Sequence, residues 1–251
     1  MESFKVNVNN CTCQIQFNSQ AFLNQNSIVN LNNELDTIEQ NKVIKVVILT
    51  GEKKVFSRGQ EVSEIYAAYE NQSSSYAELL KNNYHRIINK IRNSSKIYIA
   101  VVNGMAIGAG ISLALACDII IASPKALFYA PYTDLGLIPD GGILYFLLKT
   151  IGYYKTYELA CLKNRFTANE AYELGLINYL EDEDHIYKRA QQLAIHFSTN
   201  HAISSLMKSY FNENVSKMDI QQALDCECRY QDLARQTTEH QLAMNRLKKK
   251  E

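Results

Sequence analysis

With 251 residues, 47% of them hydrophobic, the chain can bury one large α/β core or two small ones. Lys+Arg and Asp+Glu both number 26, and the resulting zero formal charge gives no support to a general nucleic-acid or membrane-surface role. The longest apolar runs, such as Ile97–Val102 and Ile111–Cys117, are far too short to span a bilayer.

The predicted elements begin with a hairpin. Residues 1–17 alternate in places, through Cys11, Cys13, Ile15 and Phe17, around a turn at Asn9-Asn10. Ile28, Leu31, Leu35 and Ile38 recur at helical spacing, with Ser27 as the N-cap. Val43–Leu49 is an apolar run broken only by Lys45 and ending at Thr50-Gly51, which predicts a buried strand. A helix is expected over Tyr76–Arg92, its stripe formed by Leu79, Leu80, Ile87, Ile88 and Ile91, before a second buried strand at Ile97–Val102. Beyond Gly108 a glycine-rich turn opens a helix over Ile111–Cys117, and Asp118–Ala122 returns to strand. From about Asp184 the pattern is mostly helical. Strand and helix alternating without repeats predict an α/β core over residues 1–190 and a helical region over 191–251.

The six cysteines do not make a disulfide scaffold. Cys226 and Cys228 lie two apart in a helical pattern and so point about 200° apart, which prevents joint chelation. Cys11 and Cys13 read as ordinary core or half-buried residues. His85, His185, His196, His201 and His240 show no metal-ligand or triad spacing, so no metal is expected. The start, Met1-Glu-Ser-Phe-Lys-Val6, lacks the basic and apolar regions of a secretory signal, and Lys248-Lys-Lys-Glu251 is not a peroxisomal tripeptide. A cytoplasmic location is the expectation.

Two glycine-bearing turns can carry chemistry. Phe56-Ser57-Arg58-Gly59-Gln60-Glu61 follows one buried strand, and Gly104 to Ser112, with Gly108-Ala109-Gly110 at its centre, opens a helix. Glycine lets backbone approach a ligand closely, and a helix N-terminus aims unpaired N–H groups at negative charge. Two such turns can hold one carbonyl oxygen between two donors, as an oxyanion hole does. A third segment, Leu135 to Gly142, places Asp140 beside Pro139, Gly141 and Gly142. Its carboxylate either reaches into a cleft or caps a helix beginning near Ile143.

Taken together, Val46 to Gly51 with Phe56 to Gly59, Ile99 to Asp118, Leu135 to Gly142 and Thr167 to Ile177 resemble the crotonase (enoyl-CoA hydratase/isomerase) superfamily in order and spacing. The resemblance covers almost the whole chain. It implies a crotonase-like ββα spiral in two layers, with C-terminal helices mediating a homotrimer that often pairs into a hexamer. It also implies an acyl-CoA thioester substrate, or an acyl-carrier-protein thioester, and no cofactor apart from the coenzyme A of the substrate. By position, the oxyanion donors are the main-chain amides of Gln60 and Ala109. Arg58, where small residues are usual, either meets the nucleotide phosphates or points to solvent. Lys53 and Lys54 are further candidates for coenzyme A phosphates.

The departures from the family pattern narrow the chemistry. Hydratases of the family use two glutamates; the matching positions here are Ser112 and Tyr132, so ordinary hydration is not expected. Asp140 matches the catalytic carboxylate of several isomerases, which implies a Δ3,Δ2-enoyl-thioester isomerase with one aspartate as proton shuttle. Ser112 and Tyr132 are expected to line the pocket. Tyr66 and Tyr69 either wall the acyl site or pack as ordinary aromatics. Two alternatives stay open: decarboxylation or other enolate chemistry on a carrier-protein-bound acyl group in polyketide biosynthesis, and a non-catalytic binding or assembly protein.

Overall fold

The computed structural model describes residues 2–64, 66, 76–82, 84–213 and 217–248. Strands β1 (Phe4–Asn9) and β2 (Thr12–Phe17) form the expected antiparallel hairpin, with Asn10 in the left-handed region at φ 52°. Helix α1 (Gln25–Gln40) buries Ile28, Leu31, Leu35 and Ile38 as its spacing predicts. Its N-cap is Asn24, not Ser27: the Asn24 side chain accepts the Ser27 amide at 3.0 Å, so Ser27 is already inside the first turn.

A repeated step builds the rest of the core. A strand of one sheet ends in a tight turn and is followed at once by a strand of a second sheet. The steps are β3 (Val46–Gly51) to β4 (Val55–Ser57), β5 (Ile97–Val102) to β6 (Met105–Ile107), and β7 (Ile119–Ala122) to β8 (Leu127–Tyr129). Helices α2 (Tyr76–Asn82) and α3 (Tyr84–Asn93) lie between the first two steps, over the stretch where the sequence predicts helix, Tyr76–Arg92. Helix α4 (Ala109–Ala116) lies between the next two. After β8 come α5 (Ile143–Cys161), β9 (Arg165–Thr167), α6 (Ala168–Glu173) and β10 (Tyr179–Leu180). The first sheet has the order β1-β2-β3-β5-β7-β10 and the second β4-β6-β8-β9.

Strands β3 and β5 are buried on both faces, which is why they read as continuous apolar runs. Val47, Leu49, Tyr98, Ala100 and Val102 join the main core. Val46, Ile48, Ile99 and Val101 face the other way, onto Ile186, Ala190 and Ala194 of helix α7 (Ile186–Thr199). The expected boundary between residues 190 and 191 therefore falls inside a helix that packs on the sheet.

Helices α8 (His201–Asn212), α9 (Ile220–Arg235) and α10 (Thr238–Lys248) are the last of the described elements. Lys208 ties α8 to the core. Its ammonium donates to Ile91 O at 2.8 Å, Lys96 O at 2.9 Å and Asp118 Oδ2 at 2.8 Å. Cys226 of α9 is buried and Cys228 exposed, in keeping with their angular separation on a helix. Burial, with a smaller contribution from Glu34, pushes the Cys13 thiol up to about 12, the behaviour of an inert core cysteine. Among the described residues, no helix is long and apolar enough to cross a membrane, and no group of three His, Cys, Asp or Glu could hold a metal ion.

Candidate active site

The second sheet sets three loops side by side. Strands β4 and β6 run parallel, with Val55 opposite Met105 and Ser57 opposite Ala106. Strands β6 and β8 are parallel too, with Ile107 opposite Tyr129. The segments leaving their carboxyl ends are thus neighbours: Arg58–Gln60, Gly108–Gly110 and Ala130–Asp140. Ligands bind at such ends in open α/β sheets.

The two glycine turns touch. Gly59 has φ 70°, and a side chain there would run into the Ile107 carbonyl and come 3.2 Å from the Ala109 nitrogen. Gly110 is packed against Ser57, where an added Cβ would lie 2.9 Å from both Ser57 Cβ and Ser57 O. Gly59 N–H donates to Ser57 Oγ at 3.2 Å, and Leu23 N–H donates to Gly59 O at 2.8 Å. Gln60 follows this braced glycine. Across from it, Gly108 donates to Tyr129 O at 2.9 Å and serves as N-cap of α4 at φ 49°. The first amide to find an acceptor within that helix is Ile111, bonded to Gly108 O at 2.8 Å. The Ala109 amide is therefore one of the first-turn donors, which a helix cannot satisfy internally. The structure brings the Gln60 and Ala109 segments together.

The third loop supplies the carboxylate. Tyr132 begins a 3-10 turn, Thr133–Leu135, and Gly136 at φ 67° reverses the chain, with Leu137 N–H bonded to Tyr132 O at 2.8 Å. The loop returns so that the Tyr132 hydroxyl donates to Asp140 Oδ1 at 2.8 Å. Ser112, on α4, donates to the main-chain oxygen of Asp140 at 3.3 Å. Gly141 at φ 58° lies directly on Ser112, where a Cβ would come 2.9 Å from Ser112 Cβ. Helix α5 has Gly142 as N-cap, and the Ile143 amide bonds to the Asp140 main-chain oxygen at 3.1 Å. Asp140 thus meets the helix start through its backbone while its carboxylate meets Tyr132.

The other expected site residues fall into different settings. Ser112 is only 1% exposed and supports the Asp140 loop, so it contributes less wall than anchor. Tyr132, at 7% exposed, is buried between the Gly108 turn and Asp140. Arg58 does not simply point to solvent: its Nε donates to Ser19 O at 2.8 Å, and its guanidinium stacks over Phe22 at 5.5 Å. Lys53 and Lys54 are exposed on the turn between β3 and β4. Tyr66 is largely exposed, and Tyr69 lies outside the described residues. Ser57 beneath Gly110 had no place in the sequence analysis, and Ser112, expected as a pocket residue, also supports Gly141. The glycines were the visible signal, but their contacts are long-range. A cavity of about 790 Å³ lies behind Gly141 and Gly142, lined in part by His85, Arg92, Asp118 and Lys149. Neither Tyr132 nor Ala109 lines it.

Amide-bearing turns beside a carboxylate form a site suited to stabilising an oxyanion while a proton moves. Comparison with known proteins is consistent with that chemistry. The family model for enoyl-CoA hydratase/isomerase matches residues 7–251. The chain is 32% identical over 208 residues to 1,2-epoxyphenylacetyl-CoA isomerase of Escherichia coli K12, covering 82% of this chain and 79% of that one. It is 30% identical to the mitochondrial enoyl-CoA hydratase of Pongo abelii, covering 79% of this chain and 68% of the relative. The solved enoyl-CoA hydratase/isomerase of Cupriavidus metallidurans CH34 superposes with a TM-score of 0.90 at 27% identity, covering 100% of this chain and 95% of the other. The chain belongs to the enoyl-CoA hydratase/isomerase family, and its fold is the crotonase fold. It is an acyl-CoA enzyme of that family.

Proposed function

We propose that the protein is a Δ3,Δ2-enoyl-CoA isomerase in which Asp140 shuttles the proton. The thioester oxygen lies between the amides of Gln60 and Ala109. Asp140 removes a proton from the carbon next to the thioester, the electron pair delocalises onto the oxygen as a dienolate, and the same proton returns two carbons further along. No water is added and no group leaves, so one carboxylate suffices. The observation that carries this reading is the Asp140 carboxylate beside the Gly108 turn, with Ser112 and Tyr132 at the two positions where hydratases place glutamates. The packing of Gly141 onto Ser112 favours the same reading, since a longer acidic side chain at 112 would meet the loop backbone.

The acyl carrier in this reading is coenzyme A, with Lys53 and Lys54 as exposed partners for its phosphates. The helical region after residue 190 is assigned to self-association into a trimer or a pair of trimers, in a cytoplasmic enzyme without a bound cofactor. The test follows wild type and Asp140→Asn with a panel of 3-enoyl-CoA thioesters, detecting conjugated 2-enoyl products by absorbance. Wild type should convert at least one of them, and the variant should lose about 10²–10⁴-fold in kcat. Full activity in Asp140→Asn would remove the aspartate from the mechanism. Binding without conversion by wild type would move the assignment to another enolate reaction.

A further inference from the structure

We propose that Tyr132 is a positioning residue whose hydroxyl holds the Asp140 carboxylate in register with the oxyanion turn. The inference rests on the isomerase reading for its kinetic consequence, though not for the contact itself. Gly136, Gly141 and Gly142, all three at positive φ, shape the Asp140 loop, and the Tyr132 hydroxyl is a partner that fixes the direction of its carboxylate. Tyr132 is fixed at both ends. Its carbonyl accepts from Leu135 N–H at 3.0 Å and from Leu137 N–H at 2.8 Å. Its hydroxyl lies over the oxyanion turn, 3.6 Å from where a Cβ on Gly108 would be. From there it donates to Asp140 Oδ1 at 2.8 Å, a well-formed O–H···O hydrogen bond. One rigid, buried ring therefore spans from the residue beside Ala109 to the proposed base. The tyrosine at a position where hydratases carry a glutamate thus has a structural purpose: it aims the proposed base.

The substitution that tests this is Tyr132→Phe, which keeps the ring and removes only the hydroxyl. With the aim lost, kcat should fall about ten- to a hundredfold while KM stays within about twofold, because misplacement of about 1 Å is felt in the chemical step. Replacement of Tyr132 by 3-fluorotyrosine, which retains the hydroxyl, should retain activity. A second readout needs no substrate. Asp Cγ labelled with ¹³C is titrated by NMR in wild type and Tyr132→Phe, the Asp140 signal being the one missing in Asp140→Asn. Loss of a donor to the ionised form should move the Asp140 titration to higher pH in Tyr132→Phe, and the fluorinated, stronger donor should move it lower. His85, Arg92, Asp118 and Lys149 line the cavity behind the same loop and are unchanged in every variant, so differences between proteins report the tyrosine.

An unchanged kcat together with an unchanged Asp140 titration in Tyr132→Phe would overturn the proposal. So would a fall in KM-controlled binding alone. Retained activity in Asp140→Asn would instead sink the isomerase reading, leaving the titration to judge the contact. Should Tyr132→Phe fail to fold, the fluorotyrosine protein decides: an Asp140 titration identical to wild type would refute the hydrogen bond as a control on the carboxylate.

Discussion

Gly141→Ala is the perturbation that most directly questions how the Asp140 loop is seated. Gly141 combines two constraints, a φ of 58° and contact with Ser112, whose Cβ would lie 2.9 Å from an added Cβ. The left-handed conformation costs a non-glycine residue about 1–2 kcal/mol, and forcing an extra carbon into a packed site typically costs about 1–3 kcal/mol. The expected loss is together about 2–5 kcal/mol, read as a lowered urea midpoint at unchanged slope. The two contributions separate in a double-mutant cycle with Ser112→Gly. That second change removes the opposing Cβ and Oγ, so it should return the packing part and leave the φ part. A coupling of about 1–3 kcal/mol is therefore expected between the two sites. Gly141→Ala within about 0.5 kcal/mol of wild type, or a coupling near zero, would mean that the loop does not rest on Ser112. The reasoning about why position 112 excludes a glutamate would go with it.

Two further predictions concern paired charges. Lys208 has a side chain only 5% exposed, and its ammonium bonds to Asp118 and to two carbonyls; burial pulls its pKa down although Asp118 opposes that. Lys208→Ala removes one partner of a buried pair and should cost about 3–5 kcal/mol in chemical denaturation, whereas a loss under about 1 kcal/mol would show that α8 is held by other contacts. Glu39 is held below its ordinary pKa: burial raises it, but the Ser94 and Ser95 hydroxyls, the Ser95 amide and Lys96 outweigh that. A carboxylate lowered on folding contributes stability that is full above its unfolded value of about 4.3 and is lost as pH falls through the lower folded value. Glu39→Gln should thus be less stable than wild type at neutral pH, with the gap closing in acid. Urea midpoints across that range check it, and a gap independent of pH would contradict the pairing with Ser94 and Ser95.

Much of the fold was legible because burial leaves a local trace. Ile97–Val102 is a strand with the predicted bounds, since both of its faces are covered and every residue had to be apolar. The neighbouring strand was displaced, from Val43–Leu49 to Val46–Gly51. Val43 is 61% exposed, and pairing with β2 begins at Thr12 opposite Val46. Such a register depends on a partner about thirty residues away, which no local pattern contains. The helix start near residue 27 shows the same limit on a smaller scale: Asn24 and Ser27 are both able caps, and it is Asn24 whose side chain takes the Ser27 amide.

The candidate site divides along the same line. Glycines 59, 108, 110 and 141 were visible in the sequence, as were Asp140 and the replacement of both hydratase glutamates by Ser112 and Tyr132, because residue type at a matched position is a one-dimensional fact. The order of β4, β6 and β8 was not, and that order alone sets the Gly59 turn against Ala109 and places the third loop beside them. Nor could spacing show that Asp140 gives its carbonyl to Ser112 and Ile143 and its carboxylate to Tyr132. Residue identity set what each group can donate or accept. Which groups lie within hydrogen-bond distance of one another followed only when the strands paired and the glycines let three backbones close on one point.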